Sequence, residues 1–317
     1  AHSYFFKSSI FIFYMKTPEF KEKFIKRYSE LTDFEKFKEY SLKEQTKSLR
    51  VNTLKVSIPE FKKRIDFKLK QIPWCKEGFF IDEQVFGIGN KPEHGLGYFY
   101  VQEASSMIPI EVLNTKPGDF VLDMAAAPGS KTTQIGAKMK NEGFIIANDT
   151  DYTRMSSLNS NLQRCGVKNC ITTLMQGRFI SGFEFDKILV DAPCSGTGTL
   201  SKSPRTLQTW NPFSIKRLAG IQKQLIKTAF ENLKKGGELV YSTCTLEPEE
   251  DEGVISYLLD NFSDAKVVKV NLDLKHGSPI ISFNGKEYNS GVKKCLRIWP
   301  QDNGTDGFFI TKIKKDL

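Results

Sequence analysis

The sequence predicts an α/β protein in which a doubly wound, mostly parallel sheet follows a smaller α+β domain. From Lys116 onward, apolar runs of strand length alternate with segments of helical periodicity, which places the large domain at residues 113–317. Across residues 15–112 the apolar runs are shorter and glycines interrupt them, which is typical of strands and turns. With 317 residues, of which 39% are hydrophobic, the chain is long enough for both domains.

Residues 1–14 are expected to be an extension that precedes Met15, the natural start. Their apolar run is much shorter than the roughly 20 residues that a membrane-spanning helix needs, and no clear signal-peptide cleavage site follows it. Six scattered cysteines and three histidines give no metal-binding pattern. We therefore expect a cytoplasmic protein with reduced thiols, no bound metal and no membrane segment.

The small domain is expected to combine helices with strands. Aromatic residues recur every three to four positions across residues 18–46, which predicts an amphipathic helix. Residues 48–56 (SLRVNTLKV) predict a strand, and Pro59 opens a predicted helix that runs to Leu69. Residues 74–101 predict further short strands separated by glycine turns.

The large domain is expected to alternate seven strands with helices. Strands are predicted at residues 119–124, 144–148, 170–174, 185–193, 238–244, 266–270 and 308–313. Helices are predicted at residues 132–140, at 151–166 between an Asp151 N-cap and a Gly166 stop, from a Ser214 cap to Gly236 and Gly237, and at 248–262.

In such a sheet, ligands lie beyond the carboxyl ends of the strands. The first strand is followed by a loop of small residues with a lysine at its end, namely Ala125, Ala126, Ala127, Pro128, Gly129, Ser130 and Lys131. Small residues let a backbone approach a ligand closely, and the next helix offers free N–H groups. Asp149 follows the second strand, where an acid can accept both hydroxyls of an adenosine ribose. The same pattern would arise from a tight turn beside a surface acid. If it is a binding site, it fits a nicotinamide cofactor as well as S-adenosylmethionine. The chain has no GxGxxG, which weakens the dinucleotide interpretation.

Two cysteines stand at the ends of two further strands. Cys194 comes three residues after Asp191, and Cys244 follows Ser242 and Thr243. Either cysteine alone would be interpreted as a small buried thiol. Two thiols at neighbouring strand ends favour chemistry that uses a reactive sulfur.

These segments, together with three outer ones, resemble the signature blocks of a known family. The inner blocks are LDMAAAPGSKT (122–132), VDAPCSGTG (190–198) and YSTCTLEPEEDE (241–252), and the outer blocks are LRVNTLK (49–55), QEASSM (102–107) and LRIWPQDNGTDGFFITKI (296–313). They resemble the Sun/Nop family of RNA cytosine-5 methyltransferases, and are most similar to archaeal members that act on tRNA. The resemblance runs from about Ser48 to the C-terminus.

The resemblance implies a class I S-adenosylmethionine-dependent methyltransferase, with a Rossmann-like, mostly parallel seven-stranded sheet and an N-terminal α+β RNA-binding domain. It implies that Cys244 adds to carbon 6 of cytosine and that Cys194 helps remove the proton from carbon 5. Asp191 would hydrogen-bond the ring, and Lys131 would assist. S-adenosylmethionine would lie against residues 125–131 and border Asp191, with Asp149 on its ribose and Arg154 as a weaker contact.

Three departures from the family pattern stand out. Ala125 and Ser130 replace the usual Cys and Gly, and EEDE replaces EENE. Many members also place an acid after the third strand to bind the adenine amine, whereas this chain has Met175, Gln176 and Gly177 there. Gln176 is expected to accept that hydrogen bond instead. Losing the bond would cost on the order of 1 kcal/mol.

The net charge of +9 agrees with a polyanionic partner, and RNA with an unstacked target base is the expected one. The candidate RNA contacts are a basic cluster and a set of residues in the outer blocks, namely Lys62, Lys63, Arg64, Arg50, Asn52, Lys55 and Gln102.

We therefore expect a monomeric enzyme that methylates carbon 5 of cytosine in tRNA. Ribosomal RNA is the alternative substrate. A catalytically weak or inactive RNA-binding protein that lacks cofactor affinity is an alternative from another class. A nicotinamide-dependent oxidoreductase is a third interpretation, and it gives the two cysteines no role.

Overall fold

The computed structural model describes residues 19–82 and 85–317, so the expectations for residues 1–14 lie outside the described residues. Within these ranges the helices are α1 Glu22–Ser29, α2 Phe34–Leu42, α3 Ile58–Arg64, α4 Pro92–Gly95, α5 Ile108–Leu113, α6 Ser130–Lys138, α7 Tyr152–Cys165, α8 Arg205–Thr209, α9 Pro212–Glu231, α10 Glu252–Asn261 and α11 Pro300–Asn303. The strands are β1 Ser48–Val51, β2 Leu69–Gln71, β3 Gly78–Ile81, β4 Phe99–Val101, β5 Phe120–Asp123, β6 Phe144–Asp149, β7 Cys170–Leu174, β8 Phe185–Asp191, β9 Leu233–Thr243, β10 Ala265–Val268, β11 Ser282–Phe283, β12 Lys286–Glu287, β13 Leu296–Ile298 and β14 Phe308–Lys315.

The large sheet has the strand order β10-β14-β9-β8-β5-β6-β7. The five strands from β9 to β7 are parallel, and β14 runs antiparallel between β9 and β10. This arrangement confirms the predicted mostly parallel seven-stranded sheet. The short strand β13 pairs with β14 as an eighth strand that the sequence did not predict.

Side chains along the central strands alternate between two cores, as the two-residue period of a strand requires. Leu122, Val190 and Tyr241 face the core formed with α9 and α10, whereas Val121 and Val240 face the core formed with α5 and α6. Helices therefore cover both faces of the sheet, and its carboxyl edge remains as the place for a site.

The small domain contains an antiparallel sheet in the order β2-β3-β1-β4. Its core includes Leu49, Phe79 and Phe99 from the strands and Phe61 from α3. The helix predicted to run from Pro59 to Leu69 ends at Arg64, because Leu69 already pairs with Ile81 in the sheet.

The single helix predicted over residues 18–46 is in fact two helices, α1 and α2. Asp33 divides them, because its carboxylate accepts a hydrogen bond from the Lys36 amide and caps α2. Phe24 of α1 contacts Trp210 edge-on, and Phe37 of α2 contacts Trp299 in the same way. The two helices thus share a core with the large domain rather than with the four-stranded sheet.

Two of the predicted helix ends are confirmed and two are corrected. Asp151 caps α7 by accepting hydrogen bonds from two backbone amides, and Gly166 ends α7 with φ 75°. Asn211, rather than Ser214, caps α9. That helix ends at Glu231, before the glycine pair, because Leu233 begins β9. No helix in the described part of the chain is long and apolar enough to cross a membrane.

Candidate active site

The loop between β5 and α6 borders a cavity of about 390 Å³ at the carboxyl edge of the sheet. Ala125–Pro128, Lys131, Asp191 and Cys244 line this cavity, as does Phe308. Gly129 has φ 102°, and a Cβ there would lie 3.0 Å from the Leu158 side chain. The turn therefore depends on glycine at this position, and the alanines around it leave the cavity open.

Asp149 lies at the end of β6 and is 3% exposed. Its Oδ2 accepts the Ala127 amide at 3.0 Å, and its Oδ1 accepts the Thr150 and Asp151 amides. An Arg154 nitrogen lies 3.7 Å from Oδ2. Because a carboxylate has about four acceptor positions, Asp149 holds the loop in place and retains capacity for one further donor.

Cys194 and Cys244, the two cysteines predicted to take part in the chemistry, lie side by side. Strands β8 and β9 are parallel neighbours with Asp191 opposite Ser242, so the residues that follow both strands meet at the same edge. The Cys194 and Cys244 sulfurs are 3.3 Å apart, within hydrogen-bonding distance, and both residues are half-buried. The contact with Cys244, followed by burial, raises the pKa of Cys194 well above its ordinary value.

Asp191 and Lys131 form an ion pair beside the thiols. The Lys131 Nζ donates to Asp191 Oδ2 at 2.8 Å and to Ser106 Oγ at 3.0 Å. The other Asp191 oxygen accepts the Ser242 hydroxyl at 2.7 Å. The structure thus brings together all four residues predicted to act on the base.

Glu250 lies close to Cys194, and no sequence pattern indicated a role for it. Its Oε2 accepts the Ser195 amide at 3.0 Å and the Gln222 side-chain amide at 2.8 Å. Gln222 also donates to the Pro193 carbonyl at 2.9 Å. The two residues therefore hold the backbone on both sides of Cys194. Glu250 lies in the EPEEDE run, but only its burial distinguishes it from an ordinary surface acid.

Replacement of Glu250 by glutamine is expected to change how stability depends on pH. Burial raises the pKa of Glu250 to about 7, so the folded protein holds this proton more tightly than the unfolded chain does. The contribution of protonated Glu250 to the free energy of unfolding is therefore fully present below pH ~4.5 and is lost as pH rises through 7. Glu250→Gln removes this loss, so the Tm of the variant minus that of the wild type should increase between pH 5 and pH 8. Thermal melts across that range measure the difference, and parallel curves would contradict the expectation.

Gln176, the predicted substitute for the adenine-binding acid, is exposed, and its carbonyl accepts the Arg178 Nε at 2.8 Å. Arg178 donates from another nitrogen to Gln224. Gln176 is not among the residues that line the cavity. The Gln176 carbonyl, which was expected to accept the adenine amine, is thus hydrogen-bonded to Arg178 outside the cavity.

The structure corrects the expected RNA contacts at three residues. Arg50 and Asn52 are each 2% exposed, and Gln102 is 4% exposed. Asn52 donates to the Gly97 and Cys165 carbonyls and so joins the two domains. These side chains are too deeply buried for direct contact with RNA. Lys55, Lys62, Lys63 and Arg64 are exposed, although Arg64 pairs with Glu60 at 2.8 Å.

One cluster of possible metal ligands occurs in the described residues. Side-chain atoms of Cys75, Glu77 and Glu111 lie within 4.8 Å of one another. The Lys138 ammonium donates to Glu77 at 3.1 Å and to Glu111 at 2.8 Å. A lysine of the chain itself therefore supplies the positive charge at this cluster.

The chain is similar in sequence to known RNA methyltransferases. A family profile described as 16S rRNA methyltransferase RsmB/F matches residues 110–314, and one for the N-terminal domain of 16S rRNA methyltransferase RsmF matches residues 20–104. A tRNA (cytosine(49)-C(5))-methyltransferase of Pyrococcus abyssi is 46% identical over 305 residues, which cover 94% of this chain and 98% of the relative. Ribosomal RNA small subunit methyltransferase F of Vibrio campbellii is 44% identical, but the match spans 85% of this chain and only 57% of that protein.

Two solved structures are similar over most of their length. A methyltransferase homolog from Pyrococcus horikoshii has a TM-score of 0.81 at 40% identity, with 90% of each chain covered. NSun6 from Pyrococcus horikoshii, solved with SFG, has a TM-score of 0.81 at 26% identity and covers 95% of this chain and 99% of its own. The chain therefore belongs to the RsmB/F family of RNA methyltransferases, the Sun/Nop family that its motifs resemble.

Proposed function

We propose that this protein transfers a methyl group from S-adenosylmethionine to carbon 5 of a cytosine in RNA, and that the RNA is a tRNA. The observation that carries the proposal is the pair of thiols 3.3 Å apart, one of which lines a cavity shared with the Lys131–Asp191 ion pair. The activity named for the Pyrococcus abyssi relative, which this chain matches almost from end to end, supports tRNA as the substrate. Ribosomal RNA is the second candidate, because the Vibrio relative carries that name.

The residues at the cavity fit S-adenosylmethionine. Ala125–Ala127 have small side chains, Gly129 allows the turn, and Asp149 keeps an acceptor position for a ribose hydroxyl. Arg154 and Asp191 border the same space. When bound there, the cofactor supplies the methyl group that carbon 5 receives.

The side chains suit covalent catalysis on the base. Carbon 5 of cytosine is a weak nucleophile, and addition of the Cys244 sulfur to carbon 6 turns the ring into a reactive enamine. At the N3 edge we expect the Asp191 carboxylate to accept the exocyclic amine of the base, while the Lys131 ammonium, which is paired with Asp191 at 2.8 Å, steadies the negative charge that develops on the ring. After carbon 5 has taken the methyl group, the thiolate form of Cys194 removes the carbon 5 proton. The electron pair of that C–H bond restores the 5,6 double bond as the bond between carbon 6 and the Cys244 sulfur breaks.

The arrangement of the thiols suits this order of events. In the resting pair, contact with Cys244 is the main cause of the raised pKa of Cys194. Once the Cys244 sulfur is bonded to carbon 6 it is an uncharged thioether, so the pKa of Cys194 falls and Cys194 can lose its own proton to solvent and act as the thiolate base. Cys194 is therefore best suited to take a proton after the addition step, rather than before it.

A transfer assay tests the proposed function. Unmodified tRNA transcripts and a small-subunit rRNA fragment are incubated with methyl-labelled S-adenosylmethionine, and the RNA is digested to nucleosides. We expect label in 5-methylcytidine from tRNA. Label from the rRNA fragment alone would replace the tRNA proposal, and label in another nucleoside would refute the assignment to carbon 5. Absence of cofactor binding by calorimetry, together with RNA binding, would support an inactive RNA-binding protein.

A further inference from the structure

Arg50 of β1 reaches from the small domain into the first turn of α6. Its Nη2 donates to the Ser130 carbonyl at 3.2 Å and to the Thr133 hydroxyl at 2.9 Å. Ser130 immediately precedes Lys131 in the chain. One nitrogen of a buried arginine therefore holds the backbone from which the Lys131 side chain extends.

A second path leads from Arg50 to the other end of the same lysine. The Arg50 Nε donates to Gln102 Oε1 at 2.8 Å, which orients the Gln102 amide so that Nε2 donates to the Ser106 carbonyl at 3.1 Å. The Ser106 hydroxyl accepts the Lys131 Nζ at 3.0 Å. Both the base and the tip of the Lys131 side chain are thus held, directly or through Gln102, by Arg50.

The hydrogen-bond partners of Arg50 indicate that stability is not the main reason for its burial. They are a side-chain amide, a backbone carbonyl and a hydroxyl, with no carboxylate among those found in the described residues. Burying a guanidinium without a counter-charge costs free energy, and burial lowers the pKa of Arg50 accordingly. A rigid fork of donors is, however, well suited to fixing three acceptors in one geometry.

We propose that Arg50 and Gln102 are positioning residues for the Lys131–Asp191 pair, so that the small domain takes part in catalysis by holding Lys131 in place. Lysine has a long and flexible side chain, and a displacement of about 1 Å in a reacting group can cost on the order of 100-fold in rate. The proposal rests on the proposed function, because it assigns these residues to the same reaction.

The test compares Arg50→Gln with Lys138→Gln. Lys138 lies at the far end of α6 and joins Glu77 to Glu111 across the same domain boundary, but it makes no hydrogen bond to Lys131, Ser106 or Ser130. Single-turnover methylation is measured on the transcript that the wild type methylates, together with KM for RNA and the melting temperature. We expect Arg50→Gln to lower the rate by about 10- to 100-fold while KM for RNA changes less than about threefold, because Arg50 is buried. Lys138→Gln should keep the wild-type rate.

Each of the other outcomes has a definite meaning. A rise in KM for RNA at an unchanged rate would make Arg50 an RNA-contact residue and overturn the proposal, and so would an equal loss of rate in Lys138→Gln. If Arg50→Gln does not fold, Ser106→Ala removes only the hydroxyl that receives Lys131, and an unchanged rate would then overturn the proposal. Failure of the wild type to methylate either RNA would instead count against the proposed function.

Discussion

Replacement of Cys244 by alanine is expected to abolish methylation and to leave no covalent complex between protein and RNA. Without the Cys244 sulfur no bond to carbon 6 forms, and carbon 5 remains too weak a nucleophile to take the methyl group. Methyl transfer should fall by at least about 1,000-fold, in line with the loss of a covalent nucleophile. Filter-bound label after incubation with tRNA transcript measures the loss.

Cys194→Ala is the matched variant, because it removes a sulfur 3.3 Å from the first. It should leave addition and methyl transfer possible but prevent removal of the carbon 5 proton, so that protein and RNA remain joined. A band of slower mobility on a denaturing gel, present with cofactor and absent from Cys244→Ala, is the expected result. If Cys244→Ala gave that band instead, the roles of the two thiols would be reversed. If neither variant gave it, Cys194 would not be required to release the methylated RNA.

Replacement of Arg297 by methionine is expected to lower the stability of the fold strongly. Arg297 is fully buried. It donates to Glu252 Oε1 at 2.9 Å and to Asp251 Oδ2 at 3.1 Å. Removing it leaves two buried carboxylates without a counter-charge, which costs about 3–5 kcal/mol. Thermal unfolding should show Tm lower by about 10 °C.

Two further variants test that explanation. Adding Glu252→Gln to Arg297→Met should recover part of the loss, because one uncompensated buried charge is then removed. Lys227→Met breaks an exposed pair with Glu231 and should change stability by less than about 0.5 kcal/mol. If the double variant were less stable than the single one, the loss would come from packing around Arg297 rather than from charge.

Asp251 is the residue that differs where this chain has EEDE and the family pattern has EENE, and its role depends on the side chains around it. In the sequence it is a mild change on a run of acids. In the structure, Asp251 accepts the Thr243 hydroxyl at 2.7 Å as well as Arg297, and Glu247, Glu250 and Glu252 are fully buried beside it. Arg27 of α1 and Trp210 both donate to Glu247. Buried acids with such partners hold together segments far apart in the chain.

Local patterns were sufficient for the seven main strands of the sheet and for the cysteines, Asp149 and Asp191 at its edge. The apolar runs predicted the strands, and the order of small loop, Asp149, Asp191 and the two cysteines predicted which residues would meet, since parallel strands end at one edge. The same patterns did not predict that residues 18–46 divide into two helices that pack on the large domain. Aromatic periodicity identifies an apolar helix face, but it does not identify the partner of that face.

The sequence alone thus determined the fold class, the family and the position of the two sulfurs, because strand periodicity and short motifs are properties of neighbouring residues. Only the tertiary structure decided which polar side chains are buried. Arg50 and Gln102, expected at the RNA surface, are enclosed between the domains. Glu250, which the sequence left without a role, holds the backbone beside Cys194. Burial and hydrogen-bond partners depend on residues that are distant in the chain, and no local pattern encodes those contacts.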